Sequence, residues 1–204
     1  MNKMIKNALI LMAITLVAGL GLGVVYEITK APIAAAQEKA TQEAYKSVLS
    51  EASEFADYAD FDAKEAAGIL EEAGLSSDII DAVAEAKDKS GEVIGYVITV
   101  TSKEGYGGDI RISTGIDTTG TVKGVSILSI SETAGLGMKA TEDEFQNQFK
   151  DKQVDSFAYT KSGASADNEI DALSGATITT NAFTNDVNAA LAYYTEVLAE
   201  GGSN

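Results

Sequence analysis

From Ala8 to Tyr26 the chain reads ALILMAITLVAGLGLGVVY, 19 residues without a charge. At helical rise such a run comes close to the roughly 30 Å of bilayer hydrocarbon, so it is either a membrane span or a signal peptide. A signal peptide has an apolar stretch of about 7 to 15 residues with a small-residue cleavage site close behind it. Here the run is longer, and Ala34 and Ala36 lie well past it and beyond Pro32. An uncleaved transmembrane helix over residues 8–26 is expected. Lys3 and Lys6 precede it, and the positive-inside rule then keeps residues 1–7 in the cytoplasm. Everything after Tyr26 is expected on the extracytoplasmic side of the cell membrane.

That outer portion holds all 31 acidic residues and all but two of the 15 basic ones, a balance that argues against nucleic acid or anionic headgroups as partners. An apolar share of 45% is enough for one folded core. The chain has no cysteine and no histidine. It therefore lacks the usual ligands of iron-sulfur clusters, zinc and haem, makes no disulfide, and has no Ser-His-Asp or Cys-His pair for nucleophilic hydrolysis. No metal ligands are expected, and redox work would need an organic cofactor.

Behind the span, Thr29 to Glu54 is rich in Ala, Glu, Gln and Lys and reads as a helix leaving the membrane, with Pro32 near its start. Two more Ala/Glu-rich runs, Asp62 to Ala73 and Ser77 to Lys87, predict helices separated at Gly74. Residues 27–90 are thus expected as a helical connector with peripheral helices. At Glu92 the period changes: EVIGYVITVT, DIRISTGI and TVKGVSILSI alternate as strands, with the turn DTTG before the third. A short helix over Thr141–Phe149, a strand near Asp155–Thr160 and a final helix with Phe183, Val187, Leu191, Tyr194 and Leu198 at spacings of three and four complete residues 91–200. The fold class is α+β, an antiparallel sheet with flanking helices. The tail, 201–204, is expected to fray.

Two runs near the end are nearly alike: SGASAD, 162–167, and SGATIT, 174–179. Three residues ahead of its serine the second has Asp171 where the first has Tyr159. The second also runs into the final helix, and Thr179, Thr180 and Asn181 are good helix caps. Free N–H groups and the positive end of a helix dipole beside Thr177 suit a phosphate. Two glycine-rich loops, GYGGDI (105–110) and SETAGLGMKA (131–140), add two more segments where backbone lies open to a flat, phosphorylated ligand.

A span, then TKAPIAAAQ, GYGGDIRISTGID, SETAGLG and DALSGAT resembles the FMN-binding G subunit of the Rnf ion-translocating ferredoxin:NAD oxidoreductase, and is similar also to the C subunit of the sodium-translocating NADH:quinone reductase. The resemblance implies that a flavin transferase esterifies FMN through its phosphate to Thr177. Asp171 would be the address carboxylate, and Ser174, Gly175 and Ala176 the small residues exposing the acceptor, with Ile178 and Thr179 following. Gly107, Gly108, Glu132, Thr133, Gly135, Leu136 and Gly137 would lie beside the flavin. The family commonly has E-T-P-G-L-G, and Ala134 replaces that proline here. The implied function is electron transfer within a membrane-bound, ion-translocating complex, with the other membrane and redox subunits as partners. Two alternatives stand beside it: a free-standing, membrane-anchored flavinylated carrier serving an extracytoplasmic reductase, and a cofactor-free adhesion or pilin-like module.

Overall fold

The computed structural model describes residues 3–199, so the expected tail at 201–204 lies outside the described residues. It begins with one helix, α1 (Lys3–Val48), which contains both the apolar run and Pro32. The helix expected from Thr29 is thus a continuation of the span, and it stops at Val48 rather than Glu54. The chain divides between Thr41 and Gln42 into two compact units.

The second unit is built on a five-stranded antiparallel sheet in the order β1 (Glu54–Asp57), β2 (Asp78–Lys87), β3 (Val93–Ser102), β4 (Ile110–Asp117) and β5 (Val122–Ser129). The three predicted strands are β3, β4 and β5. One helix expected over Asp62–Ala73 forms as α2 (Ala63–Glu72), with the Asp62 carboxylate capping the N–H groups of Lys64 and Glu65. The other does not form: in place of the helix expected over Ser77–Lys87 the structure has β2. The alanines and glutamates of that stretch favour helix in isolation. Ile79, Ile80 and Val83 are β-branched, however, and β2 pairs on both sides, with β1 and β3, so tertiary pairing outweighs propensity. The stretch expected as a helical connector therefore contributes two strands to the same sheet.

The sheet is covered on both faces. Ile98, Val100, Ile110, Ile112 and Ile116 pack with Phe183, Val187 and Leu191 of α4 (Thr177–Tyr193), all close to fully buried. Against the other face, Tyr45, Val48 and Leu49 close over Ala84, Ala86 and Val97. A fully buried hydroxyl pair, Thr99 and Ser113 at 3.0 Å, lies on this second face, and the Tyr45 hydroxyl meets Thr99 at 3.2 Å.

Between β5 and α4 the chain makes short turns. The helix expected over Thr141–Phe149 is three pieces, a 3-10 turn over Gly137–Thr141, α3 (Asp143–Gln146) and a second 3-10 turn over Asn147–Phe149. Phe145, Phe149, Phe157 and Phe183 form an aromatic cluster with ring centroids 5.0 to 5.7 Å apart. It fastens these turns under α4. Next, β6 (Ala158–Thr160) and β7 (Glu169–Asp171) pair in parallel, in a small sheet of their own. Because they run the same way, the two SGA runs that follow them leave from the same end of two neighbouring strands.

Candidate functional site

The second SGA run is a tight turn set on the head of a helix. Ala176 N–H donates to the Leu173 carbonyl at 3.0 Å, and Gly175 at φ +75 takes the left-handed position that such a turn needs. Thr180 binds the turn to the helix: its hydroxyl donates to the Ala176 carbonyl at 2.9 Å and accepts from Leu173 N–H at 3.1 Å. Thr179, Thr180 and Asn181, expected as caps, therefore lie inside the helix. α4 begins at Thr177, and the residue before it, Ala176, has no side chain able to cap. No acidic residue occupies the first turn either. The first N–H groups of α4 thus point outward at Thr177 without a capping carboxylate or hydroxyl, a donor array with a partial positive charge.

Thr177 is half-buried on the wall of a cavity of about 510 Å³. The cavity is lined by Gly175 through Thr179 of the turn and helix start, by Glu132, Thr133, Leu136 and Gly137 of the SETAGLG loop, and by Tyr106. Gly137 is buried where loop and helix meet, and a Cβ there would come within 2.6 Å of Thr179 Oγ1 and 2.8 Å of Glu132 Oε2. Bare backbone is required at that point. Gly107 N–H donates to Glu132 Oε1 at 3.2 Å, which ties the GYGG loop to the SETAGLG loop.

Among the described residues beyond α1, the exposed large apolar side chains are Ile79, Tyr106, Leu136 and Ile178, and the last three line this cavity. Gly107, Gly108 and Gly135 belong to the same loops without forming its walls, and Ser174 is exposed on the turn. Asp171 is engaged elsewhere: its Oδ1 accepts from Ala164 N–H at 2.7 Å, inside the first SGA run, while its own N–H donates to Gln148 Oε1 at 2.6 Å.

Ile178 is 52% exposed, and Thr177 and Ile178 also line a second hollow, of about 350 Å³, completed by Glu104, Tyr159 and Asn181. The Glu104 carboxylate there is held by the Ser77 hydroxyl at 3.1 Å and the Asn185 amide at 3.5 Å. Sequence reasoning passes over Tyr106, Glu104 and Gln148. Tyr106 has a signal, an aromatic ring set among glycines; Glu104 and Gln148 acquire their places only through contacts distant in sequence.

Two carboxyls lie under the site, between α4 and the sheet. Asp186 is fully buried, and no protein donor reaches either oxygen. Burial, with the Asp78 and Asp81 carboxylates adding to it, pushes its pKa well above the usual carboxylate range. Burial likewise pushes Asp78 up to about 6, opposed by the Ser102 hydroxyl and reinforced by Glu104.

The architecture is that of a flavin-binding module. The FMN-binding domain family model matches residues 105–192, which include both glycine-rich loops and the SGAT turn, and the RnfG N-terminal region matches residues 1–48. The G subunit of the Na(+)-translocating ferredoxin:NAD(+) oxidoreductase complex of Acetobacterium woodii is 32% identical, over 93% of this chain and 90% of that protein. The G subunit of the ion-translocating oxidoreductase complex of Methanosarcina acetivorans is 30% identical, over 94% and 95%. The chain belongs to this family of G subunits. In fold it is similar to NqrC of Shewanella oneidensis, with a TM-score of 0.51 and 20% identity over 60% of this chain and 61% of that one. An FMN-binding domain also removes the cofactor-free adhesion module as an alternative.

Proposed function

We propose that this chain is the membrane-anchored electron-transfer subunit of an ion-translocating ferredoxin:NAD oxidoreductase complex, and that its FMN is esterified through the phosphate to Thr177. The observation that carries the proposal is the position of the Thr177 hydroxyl, at the uncapped amino end of α4 and on the wall of the 510 Å³ cavity. A phosphate at that oxygen meets outward N–H groups. A cavity of this size falls in the range of about 300–1,000 Å³ typical of small-molecule sites. The bare backbone of Gly137 and the apolar faces of Leu136, Tyr106 and Ile178 suit a flat ring, so the residues fit FMN. Glu132, tied to Gly107 N–H, orients the loop edge that faces the ring.

When bound, the flavin supplies one- and two-electron transfer, and the chain's own share is to hold and insulate it. Esterification would join Thr177 Oγ to the FMN phosphorus as the phosphoanhydride P–O bond of a dinucleotide-type FMN donor breaks, the other half of that donor leaving as a phosphate monoester. The hydroxyl proton must go to a base, and because a threonine hydroxyl is a poor nucleophile and the chain has no histidine to activate it, the step is assigned to an external flavin transferase. Lys3 and Lys6 support a cytoplasmic amino terminus with the flavin domain on the other side of the membrane.

Co-expression with a flavin transferase tests the reading. A denaturing gel should show flavin fluorescence on the band, and mass spectrometry should find the FMN mass on the peptide containing Thr177. Thr177→Val, nearly the same shape without the hydroxyl, should lose all covalent flavin and keep its fold. A Thr177→Val protein that still carries covalent FMN would exclude the assignment.

A further inference from the structure

Two hollows of about 510 and 350 Å³ share the same two residues, Thr177 and Ile178. We propose that the tethered flavin ring has two seats, one on either side of the Ile178 side chain, with Thr177 as the pivot between them. The inference rests on attachment at Thr177.

Three features of the molecule support it. The first is the tether: an ester at the first residue of α4 is followed by a chain of single bonds, so the ring's reach is limited by length and not by direction. Ile178, 52% exposed, is shared by the linings of both hollows. The second is size, since both volumes fall in the range that small ligands occupy, about 300–1,000 Å³.

The third is chemistry, which differs between the seats. The larger is faced by Leu136, Thr133 and the backbone of Gly137 and suits the apolar part of the ring. In the smaller, the Glu104 carboxylate is steadied by Ser77 and Asn185. Asn181 stands four residues after Thr177, one helical turn along the same face of α4. An acceptor and an amide lining one hollow match an imide edge, an N–H between two carbonyls, which is the polar end of an isoalloxazine. Two seats on either side of one residue let a single tethered flavin face an electron donor and an electron acceptor in turn without leaving its domain.

Each seat carries one tyrosine, Tyr106 in the larger and Tyr159 in the smaller, and the chain has no tryptophan. Tyrosine in contact with a flavin quenches its emission, so each seat labels itself. The experiment is time-resolved flavin fluorescence on the flavinylated full-length chain, with mass spectrometry of the same samples. Two short-lived decay components are expected. Tyr106→Phe should remove one and Tyr159→Phe the other, and Ile178→Ala should change their ratio while keeping both. A flavinylated Tyr159→Phe protein whose decay matches the parent overturns the second seat and leaves attachment at Thr177 untouched. FMN found on another residue, which the mass spectrum reports independently of any lifetime, overturns the pivot together with the attachment.

Discussion

The two SGA runs leave the same end of two paired strands, and they meet opposite fates. In the first, the central polar groups are spent on neighbours: Glu169 Oε2 accepts from the N–H and hydroxyl of Ser165 and from Ala166 N–H at 2.9 to 3.2 Å, and Asp171 accepts from Ala164 N–H. These bonds hold the Glu169 carboxyl below its usual range, with the Ser165 and Ala166 amides as the leading causes. In the second run the turn is closed by backbone and by Thr180 alone, and Thr177 is left facing two hollows. Similar residues thus make a closed loop where carboxylates follow and an uncapped helix end where a helix follows. Asp171, the carboxylate proposed as the address of the second run, is at the same time the clasp of the first.

Asp171 is the place to break that relation, with the largest effect. Asp171→Ala removes both the charge and the acceptor for Ala164 N–H; Asp171→Asn removes the charge and keeps an acceptor. If the charge is what the transferase reads, both variants should lose covalent flavin by roughly tenfold or more, equivalent to about 1.4 kcal/mol or greater. Flavinylation that survives in the Asn variant and fails in the Ala variant would make Asp171 a clasp and not an address. In-gel fluorescence against total protein measures either outcome.

A smaller effect is expected where α4 is held against the sheet, since the open run stays open only while the helix stays docked. Asp186 and Asp78 both have folded-state pKa values above those of an unfolded chain, about 3.9. Such groups stabilise the fold fully below the unfolded value, and the contribution is lost as pH rises through the folded one. For Asp78 that window runs from about 4 to about 6, and Asp186, whose pKa is raised by burial, adds a loss of the same sign. The melting temperature should therefore fall as pH is raised from 5 to 8. Asp186→Asn, neutral throughout, should flatten that slope and melt above the parent at pH 8. Melts followed by circular dichroism at pH 5 and 8 decide it; parallel slopes for the two proteins would remove Asp186 from the account.

The smallest effect belongs to the first run. Ser165→Ala deletes one exposed hydroxyl bond and should cost less than about 1 kcal/mol while leaving flavinylation unchanged. A loss of covalent flavin in that variant would mean that the two runs are functionally linked.

Much of the fold is legible in the sequence because its signals are local. The uncharged run, the alternation of β3 to β5 and the spacing of Phe183, Val187 and Leu191 each follow from neighbours within a few residues. The stretch at 77–87 misleads for the complementary reason: nothing inside it announces that β1 and β3 pair with it on both sides. The caps expected at Thr179–Asn181 mislead similarly, since Thr180 caps nothing and instead fastens the turn at Leu173 to the helix.

Residue types, the long apolar run and the SGAT motif are present in the sequence itself, because an apolar run and a motif are defined by composition and order. Only tertiary structure decided that Glu132, Gly137, Tyr106 and Thr177 surround one cavity, that Glu104 and Tyr159 make a second beside it, and that Asp171 turns toward Ala164. Those relations join loops that are 25 to 81 residues apart, as in the Gly107–Glu132 and Glu104–Asn185 bonds. Contacts at that range depend on the register of the sheet and the docking of α4 on it, which are properties of the packed core and of no single stretch of chain.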